Sequence, residues 1–166
     1  FRHAEGFNVS DGRTRHHGVE VSLVWEPQAY ARVDASFSWA RHAYDFDRAP
    51  VSGEIIHAGN SVDTAPEWMG SVRFTWQPRD TRRYEAEWVY LGSYFLDAEN
   101  LHRYGGHRLL NLRALIALSP NGHQFAIRVT NLLAERYAER ADFAFGQYRY
   151  LPGAERQLFV EWRYRL

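Results

Sequence analysis

Apolar side chains recur at every second position through several long segments, and this alternation restricts the fold more than any other feature of the chain. In the first such segment, mostly polar residues alternate with Val19, Val21, Leu23 and Trp25. A period of two places the two sets of side chains on opposite faces of an extended strand. The sequence therefore predicts strands that have one apolar and one polar face.

Seven segments show this pattern, and several approach the roughly 9–11 residues that a tilted strand needs to cross a bilayer. The fourth runs from about Arg82 to Asp97 and places Tyr94 on the same face as Tyr84, Ala86, Trp88 and Tyr90. The other six cover approximately residues 19–26, 31–39, 68–76, 107–118, 124–130 and 157–166. The pattern predicts about seven antiparallel strands joined as hairpins.

The connections between these strands alternate in length. Short turns are predicted at Glu26–Gln28, Gln77–Asp80 and Ser119–Gly122, each of which contains a proline. Long loops are predicted at about residues 44–66, 98–106 and 134–155. Transmembrane barrels combine short periplasmic turns with long external loops, so the alternation favours such a barrel over a soluble sandwich.

Charges and aromatic residues fit the same interpretation. Charged residues in the middle of strands all fall on the polar faces: Arg32, Asp34, Arg73, Glu85, Glu87, Arg113, Arg128, Glu161 and Arg163. On a lipid face, Arg or Lys at the midplane would cost about 2–4 kcal/mol. Trp25, Trp76, Trp162 and Tyr164 lie next to short turns or the chain end, where a periplasmic aromatic girdle is expected.

Composition excludes several classes of protein and site. Twenty basic and 20 acidic residues balance without a basic block, which argues against nucleic-acid binding. The chain has no Cys, so disulfides, Cys-based zinc sites and thiol catalysis are excluded. The chain has no run of 18 apolar residues, so no transmembrane helix is predicted, and no secretory signal is visible. Because the chain opens on Phe1 without Met, we expect a truncated or processed N-terminus.

Six short motifs follow one another along the chain. They are Gly12–Glu20, Asn60–Pro66, Tyr94–Asn100, Asn111–Arg113, Val129–Tyr137 and Tyr150–Arg156. In this order they resemble "TR-x-x-GVE", "N-x-x-x-x-x-P", "Y-x-x-D-x-x-N", "NLR", "V-x-NL-x-x-x-x-Y" and "Y-x-PG-x-x-R" of the C-terminal part of TonB-dependent outer-membrane receptors. That family closes with an aromatic residue, usually Phe, whereas this chain ends on Leu166 with Tyr164 two positions before it.

The resemblance implies an all-β fold, namely an antiparallel up-and-down transmembrane β-barrel segment. Residues 1–166 would be the C-terminal portion of the barrel domain, contributing about seven or eight strands of a larger barrel of about 22. Residues 1–9 are a candidate eighth strand. The N-terminal plug domain of the family is expected to be absent from this chain.

The resemblance also implies a function. The expected protein is a receptor and transporter in the bacterial outer membrane for active uptake of ferric siderophores or similar scarce nutrients, and it is not an enzyme. Its expected partners are outer-membrane lipid, a metal-chelate or other small nutrient, and the barrel-assembly machinery through the C-terminal strand. TonB would act only through the missing N-terminal region. Two alternatives are a complete small outer-membrane barrel with a structural, adhesive or enzymatic role, and a soluble β-sandwich binding module.

The residues nominate no catalytic site, no cofactor and no metal site. The eight histidines include no H-x-x-x-H pair, and the adjacent His16 and His17 point to opposite faces of a strand. Paired carboxylates such as Glu85 and Glu87 are explained by a polar face. Ligand contacts in a receptor are expected from the long loops. The candidates there are Tyr44, His57, Asn60, Tyr104, His107, Tyr137, Phe143 and Tyr148.

Overall fold

The computed structural model describes residues 12–49, 55–118 and 122–164, and the regular secondary structure in these ranges is β-strand. The strands are β1 (Thr14–Gln28), β2 (Ala31–Tyr44), β3 (Trp68–Arg79), β4 (Arg82–Leu91), β5 (Tyr94–Phe95), β6 (Arg103–Tyr104), β7 (His107–Ala117), β8 (His123–Thr130), β9 (Ala138–Ala144), β10 (Gln147–Pro152) and β11 (Gln157–Tyr164). Among the described residues there is no helix with the length and apolar character needed to cross a membrane.

Seven of these strands form one antiparallel sheet in the order β1-β2-β3-β4-β7-β8-β11. Each strand of the sheet pairs with the one that precedes it along the sheet, which confirms the predicted up-and-down hairpins. The other four strands form two separate hairpins, β5–β6 and β9–β10. These hairpins belong to the connections that join β4 to β7 and β8 to β11.

The two faces of the sheet differ in chemistry as the alternation predicted. On one face, Val21, Leu23 and Trp25 are exposed although they are apolar. On the other face, ion pairs link neighbouring side chains, and Arg73 Nη2 lies 2.6 Å from Glu87 Oε1 on the next strand. An exposed apolar wall that is backed by a charged face fits lipid on one side and water on the other.

Two of the predicted short turns lie slightly later in the chain than expected. Pro27 and Pro78 are still within β1 and β3, and the turns are the residue pairs 29–30 and 80–81. Both prolines fall where the strand register shifts, between Trp25 and Gln28 and between Trp76 and Arg79. Such an irregularity tolerates a residue that has no N–H to donate. The third predicted turn, Ser119–Gly122, lies largely outside the described residues.

The fourth predicted strand was too long, and the assignment of Tyr94 to its apolar face was wrong. β4 ends at Leu91, and the chain leaves the sheet at Gly92 and Ser93. Tyr94 lies in the separate β5–β6 hairpin, where it is buried among other loop residues. The alternation of aromatic residues continued past the end of the strand, so it did not reveal the break.

Within the described residues the sheet is open, since β1 pairs only with β2 and β11 only with β8. An open sheet leaves unpaired backbone groups along both edges, which lipid cannot satisfy. In a bilayer both edges therefore need further strands as partners. The candidate eighth strand, residues 1–9, lies outside the described residues.

The buried apolar residues belong to the loops, apart from Tyr44 at the end of β2. One cluster consists of Tyr94, Leu96, Ala138 and Ala141, and a second consists of Tyr44, Ile56 and Ala98. Both clusters sit at the end of the sheet where the long connections emerge. The long loops are thus folded against one another into a compact layer above the strands.

Candidate functional site in the loop cap

The candidate site is the layer formed by the three long connections, residues 45–67, 92–106 and 131–156, which we call the loop cap. It lies at the end of the sheet opposite the turns at residues 29–30 and 80–81. Its described parts are joined by backbone hydrogen bonds between different connections. Thr64 N donates to Phe95 O at 2.8 Å, and Phe143 N donates to Leu96 O at 3.0 Å. The three connections therefore form one folded unit.

The first connection is held against the second around Tyr44. The Tyr44 backbone N–H donates to Asn60 O at 2.9 Å, and its hydroxyl donates to the Asp63 carboxylate. Asn60 Nδ2 in turn donates to Ala98 O at 3.0 Å. Two of the predicted ligand residues, Tyr44 and Asn60, thus hold the loops together.

The motif Tyr94–Asn100 organises the second connection through its polar side chains. Asp97 is buried, and its Oδ1 accepts hydrogen bonds from the N–H groups of Leu101 and His102 at 3.0 and 3.1 Å. Asp97 Oδ2 lies 2.8 Å from His102 Nδ1. Because a carboxylate accepts, His102 Nδ1–H is the donor of this hydrogen bond.

The same motif also ties the second connection to the third. Ala141 N donates to the Tyr94 hydroxyl at 3.1 Å, and Ala138 N donates to the Tyr104 hydroxyl at 3.0 Å. Burial raises the pKa of the Tyr94 phenol, since the charged form loses solvation. Both tyrosine hydroxyls thus accept a backbone N–H from β9 and position that strand.

Asn131 anchors the third connection to the sheet. It is buried, and its Nδ2 donates to Glu135 O at 2.8 Å and Ala154 O at 3.2 Å, while its Oδ1 accepts from Glu135 N. Its backbone N–H donates to Asn111 Oδ1 at 3.0 Å. Asn111 Nδ2 then donates to Glu87 on the polar face of the sheet. A continuous polar chain therefore runs from the charged wall into the loop cap.

Four aromatic side chains form a partly exposed surface, which we call the aromatic shelf: His102, Phe143, Tyr148 and Tyr150. The rings of His102 and Phe143 stack with centroids 3.5 Å apart and an interplanar angle of 10°. Tyr148 meets both rings edge-on, and it lies parallel to Tyr150 at 6.1 Å. Tyr148 is 50% exposed. The shelf combines flat apolar surface with phenol and imidazole groups, which suits contact with an aromatic or polar small molecule.

The eight residues predicted as ligand contacts separate into groups. Phe143 and Tyr148 meet on the aromatic shelf. Tyr104 and Tyr137 both contact His107, with the Tyr137 ring 4.5 Å from the His107 ring. Tyr44 ends β2, and Asn60 and His57 are in the first connection, where Asn60 N donates to His57 O at 3.0 Å. The His57 side chain is two-thirds exposed.

Sequence reasoning missed His102 and Tyr150 as members of the shelf. The alternation of Tyr148 and Tyr150 in β10 was a visible signal that both rings share a face. For His102 the signal was weaker, since only its position five residues after Asp97 suggested that the carboxylate would orient the ring.

Comparison with known proteins relates this architecture to one family and to several solved structures. The family model "TonB dependent receptor-like, beta-barrel" matches residues 4–132. A search of the curated proteins finds no match. Among solved structures, the siderophore receptor PiuA from Acinetobacter baumannii is similar, with a TM-score of 0.75 and 16% identity over 91% of this chain and 22% of that chain.

Two further structures are similar over comparable lengths. The ferric yersiniabactin uptake receptor FyuA from Yersinia pestis gives a TM-score of 0.74 and 15% identity, covering 91% of this chain and 23% of that chain. The ferric citrate transporter FecA in its unliganded form gives a TM-score of 0.73 and 19% identity, covering 90% and 24%. This chain thus spans less than a quarter of the length of the structures that it matches. The open sheet, the loop cap and the family match lead to one conclusion: the chain belongs to the TonB-dependent receptor β-barrel family.

Proposed function

We propose that these strands are the C-terminal portion of an outer-membrane receptor that takes up ferric siderophores or similar scarce nutrients. The observation that carries the proposal is the family match over residues 4–132. The similar structures are a siderophore receptor, a ferric yersiniabactin uptake receptor and a ferric citrate transporter. The role of this segment would be to supply part of the barrel wall and three external loops.

The orientation follows from the lengths of the connections. In bacterial outer-membrane barrels the short turns face the periplasm and the long loops face outward. The loop cap would therefore face the medium, and the charged face of the sheet would line the lumen. The exposed apolar face, with Val21, Leu23 and Trp25, would contact outer-membrane lipid.

The remaining partners follow from the same proposal. TonB would engage a plug domain in the N-terminal part of the protein, so this segment would have no direct role in energy coupling. The barrel-assembly machinery would recognise β11, which is an edge strand of the described sheet. The segment would bind and pass a ligand without chemical change, as a transport receptor and not an enzyme.

Within the loop cap, we assign the first ligand contact to the aromatic shelf. Tyr148 combines a half-exposed ring with fixed neighbours, so it offers a surface that needs little ordering when a ligand binds. Tyr44 is buried and its hydroxyl is already engaged by Asp63. We therefore rank Tyr148 and Phe143 above Tyr44, Asn60 and His57 as contact residues.

The test is ligand binding and uptake by cells that express the full-length receptor under iron limitation. A panel of ⁵⁵Fe-loaded catecholate, hydroxamate and carboxylate chelators would be supplied, and we expect accumulation of at least one. Tyr148→Ala should then weaken binding by about tenfold, the loss expected for one well-placed aromatic contact. Phe145→Ala is the matched control, because Phe145 is on the same hairpin and 96% exposed.

Three outcomes would each count against one part of the proposal. Uptake of no chelator in the panel, at any expression level, would argue against nutrient import. Equal effects of Tyr148→Ala and Phe145→Ala would argue against the aromatic shelf while leaving the transport function intact. A heat-modifiable, SDS-resistant barrel formed by these 166 residues alone would favour a complete small barrel.

A further inference from the structure

Two histidines face each other across β1 and β2 near the loop cap. His16 and His42 are directly paired in the antiparallel register. Their Nδ1 atoms are 2.7 Å apart, and their ring centroids are 5.0 Å apart. His17, the residue after His16, points to the opposite face and contacts Trp39 edge-on. The two paired rings therefore share one small volume on the polar side of the sheet.

We propose that His16 and His42 form a two-ligand binding site for a borderline divalent transition-metal cation, with Cu²⁺ favoured, on the inner wall beneath the loop cap. Neutral imidazole nitrogen is a preferred ligand of Cu²⁺, Zn²⁺ and Ni²⁺. The described residues contain no cluster of three or more His, Cys, Asp or Glu side chains suited to a metal. The remaining coordination positions would thus be filled by water or by donor atoms of a bound molecule.

The distance between the rings suits this role after a small movement. Two nitrogens bound to one metal at about 2.0–2.1 Å are about 2.9 Å apart at a right angle and about 3.3 Å apart at the tetrahedral angle. The observed Nδ1–Nδ1 distance of 2.7 Å is the hydrogen-bonded arrangement of the same pair. Moving the rings apart by about 0.2–0.6 Å would admit the ion. His16 is exposed and His42 is half-buried, so the movement meets little resistance.

The Thr14 hydroxyl, two residues before His16 on the same face of β1, can accept a hydrogen bond from one ring nitrogen of His16. Thr14 Oγ1 lies 2.8 Å from His16 Nε2. With the Nε2 proton donated to this hydroxyl, His16 Nδ1 keeps a lone pair that points at His42. His42 Nδ1–H then donates to that lone pair in the metal-free pair. When a cation binds, it takes both Nδ1 lone pairs, and the proton of His42 moves through solvent from Nδ1 to its own Nε2, so the ring stays neutral.

The space below the pair accommodates the other ligands of the ion. A depression of about 320 Å³ adjoins the pair, and its lining includes the two histidines, Gly18, Glu20, Ser38 and Ala40 as well as His17, Val19 and Trp39 of the opposite face. Gly18 itself packs closely against β2, since a Cβ there would lie 2.4 Å from Trp39 O and 2.8 Å from Ala40 Cβ. Asp45 offsets part of the charge of the nearby Arg13 and Arg15, with which it forms ion pairs. This proposal concerns metal binding alone and holds whichever nutrient the receptor imports.

The test is a titration of the full-length receptor, purified in detergent, with CuCl₂. Binding is measured by calorimetry, and the ligands are identified from nitrogen hyperfine structure in the Cu²⁺ electron paramagnetic resonance spectrum. We expect His16→Asn combined with His42→Asn to remove one equivalent of bound Cu²⁺ and its two-nitrogen signal. Thr14→Val should weaken the same site by about tenfold without changing its stoichiometry. Zn²⁺ should compete more weakly than Cu²⁺, and Mg²⁺ should not compete.

His17→Asn is the matched control, because it removes the adjacent imidazole from the opposite face. Loss of the same equivalent in this control, or full Cu²⁺ binding by the double variant, would overturn the proposal. A second measurement needs no variant: in the unmodified receptor, CuCl₂ should protect His16 and His42 from carbethoxylation by diethyl pyrocarbonate, read by mass spectrometry. Modification of both residues at an unchanged rate in saturating CuCl₂ would likewise overturn it.

Discussion

The Asn100 side chain hydrogen-bonds to both backbone groups of Ser61, 39 residues earlier in the chain. Its Oδ1 accepts from Ser61 N, and its Nδ2 donates to Ser61 O, each at 2.8 Å. The side-chain amide thus pairs with Ser61 as the backbone of a neighbouring strand would. It joins two connections that have no strand of the sheet in common. Positive φ at Asn100 is part of this arrangement, and Asn adopts that conformation more readily than most residues.

Asn100→Ala should therefore separate the first two connections of the loop cap. Each unpaired group costs about 1–3 kcal/mol, so the local stability of the cap should fall by several kcal/mol. We expect faster hydrogen exchange and faster protease cleavage at residues 55–64, with the barrel still resistant to SDS. Leu101→Ala is the control, since Leu101 is 71% exposed. Unchanged exchange in Asn100→Ala would show that the pair with Ser61 does not hold the cap.

Asn131→Ala should affect the third connection in the same way. Four hydrogen bonds to or from the Asn131 side chain and backbone join β8 to Glu135, Ala154 and Asn111, and the change removes the three that use the side chain. We expect hydrogen exchange at residues 134–156 to accelerate, while exchange at 55–64 stays unchanged. Leu133→Ala, at a side chain that is 68% exposed, should leave both regions unaffected.

Arginine substitutions on adjacent residues of β3 test which face meets lipid. Val72→Arg places a charge on the apolar face at a cost of about 2–4 kcal/mol near the midplane. Ser71→Arg places it on the polar face, where Ser71 Oγ lies 3.4 Å from Ser36 Oγ. We expect Val72→Arg to reduce the amount of SDS-resistant receptor in outer-membrane fractions and Ser71→Arg to leave it near the unsubstituted level. Equal yields would show that the assignment of faces is wrong.

Gly153→Ala tests the contact between the third connection and Tyr137. An added Cβ at Gly153 would lie 2.2 Å from the Tyr137 ring, so the ring or the backbone must move. We expect a loss of about 1–3 kcal/mol in the stability of the cap, measured by hydrogen exchange at residues 147–156. Adding Tyr137→Ala should recover part of this loss, because it removes the clashing ring. Additive losses in the double variant would exclude a direct clash.

Much of the fold could be predicted from the sequence because lipid and water impose a strict alternation on a spanning strand. That rule located all seven strands of the sheet and the faces of residues such as Val72 and Arg73. The rule fails where the chain leaves the sheet. The aromatic alternation continued from Tyr90 to Tyr94, yet the chain left the sheet at Gly92, and only the tertiary contacts of Tyr94 with β9 explain the break.

The candidate site was harder to predict, since its geometry depends on contacts between distant segments. The motif resemblance located Asp97, Asn100 and Asn131 without showing that they join one loop to another. The spacing of histidines along the sequence also did not reveal the pair of His16 and His42, because the two residues lie on different strands. That pair depends on the register between β1 and β2, which the alternation alone does not fix.

The arrangement of the sheet and the cap has a consequence for the order of assembly. Every pairing in the sheet joins strands that are consecutive in the meander, so each pairing closes a single connection and the strands can form hairpin by hairpin. The links in the cap span much longer stretches, such as the 47 residues between Tyr94 and Ala141. They can form only after β4, β7 and β8 are in register. The cap would then be the last part to become ordered. Protection of Tyr94 and Asn100 from hydrogen exchange would therefore mark the chains whose strands have paired correctly.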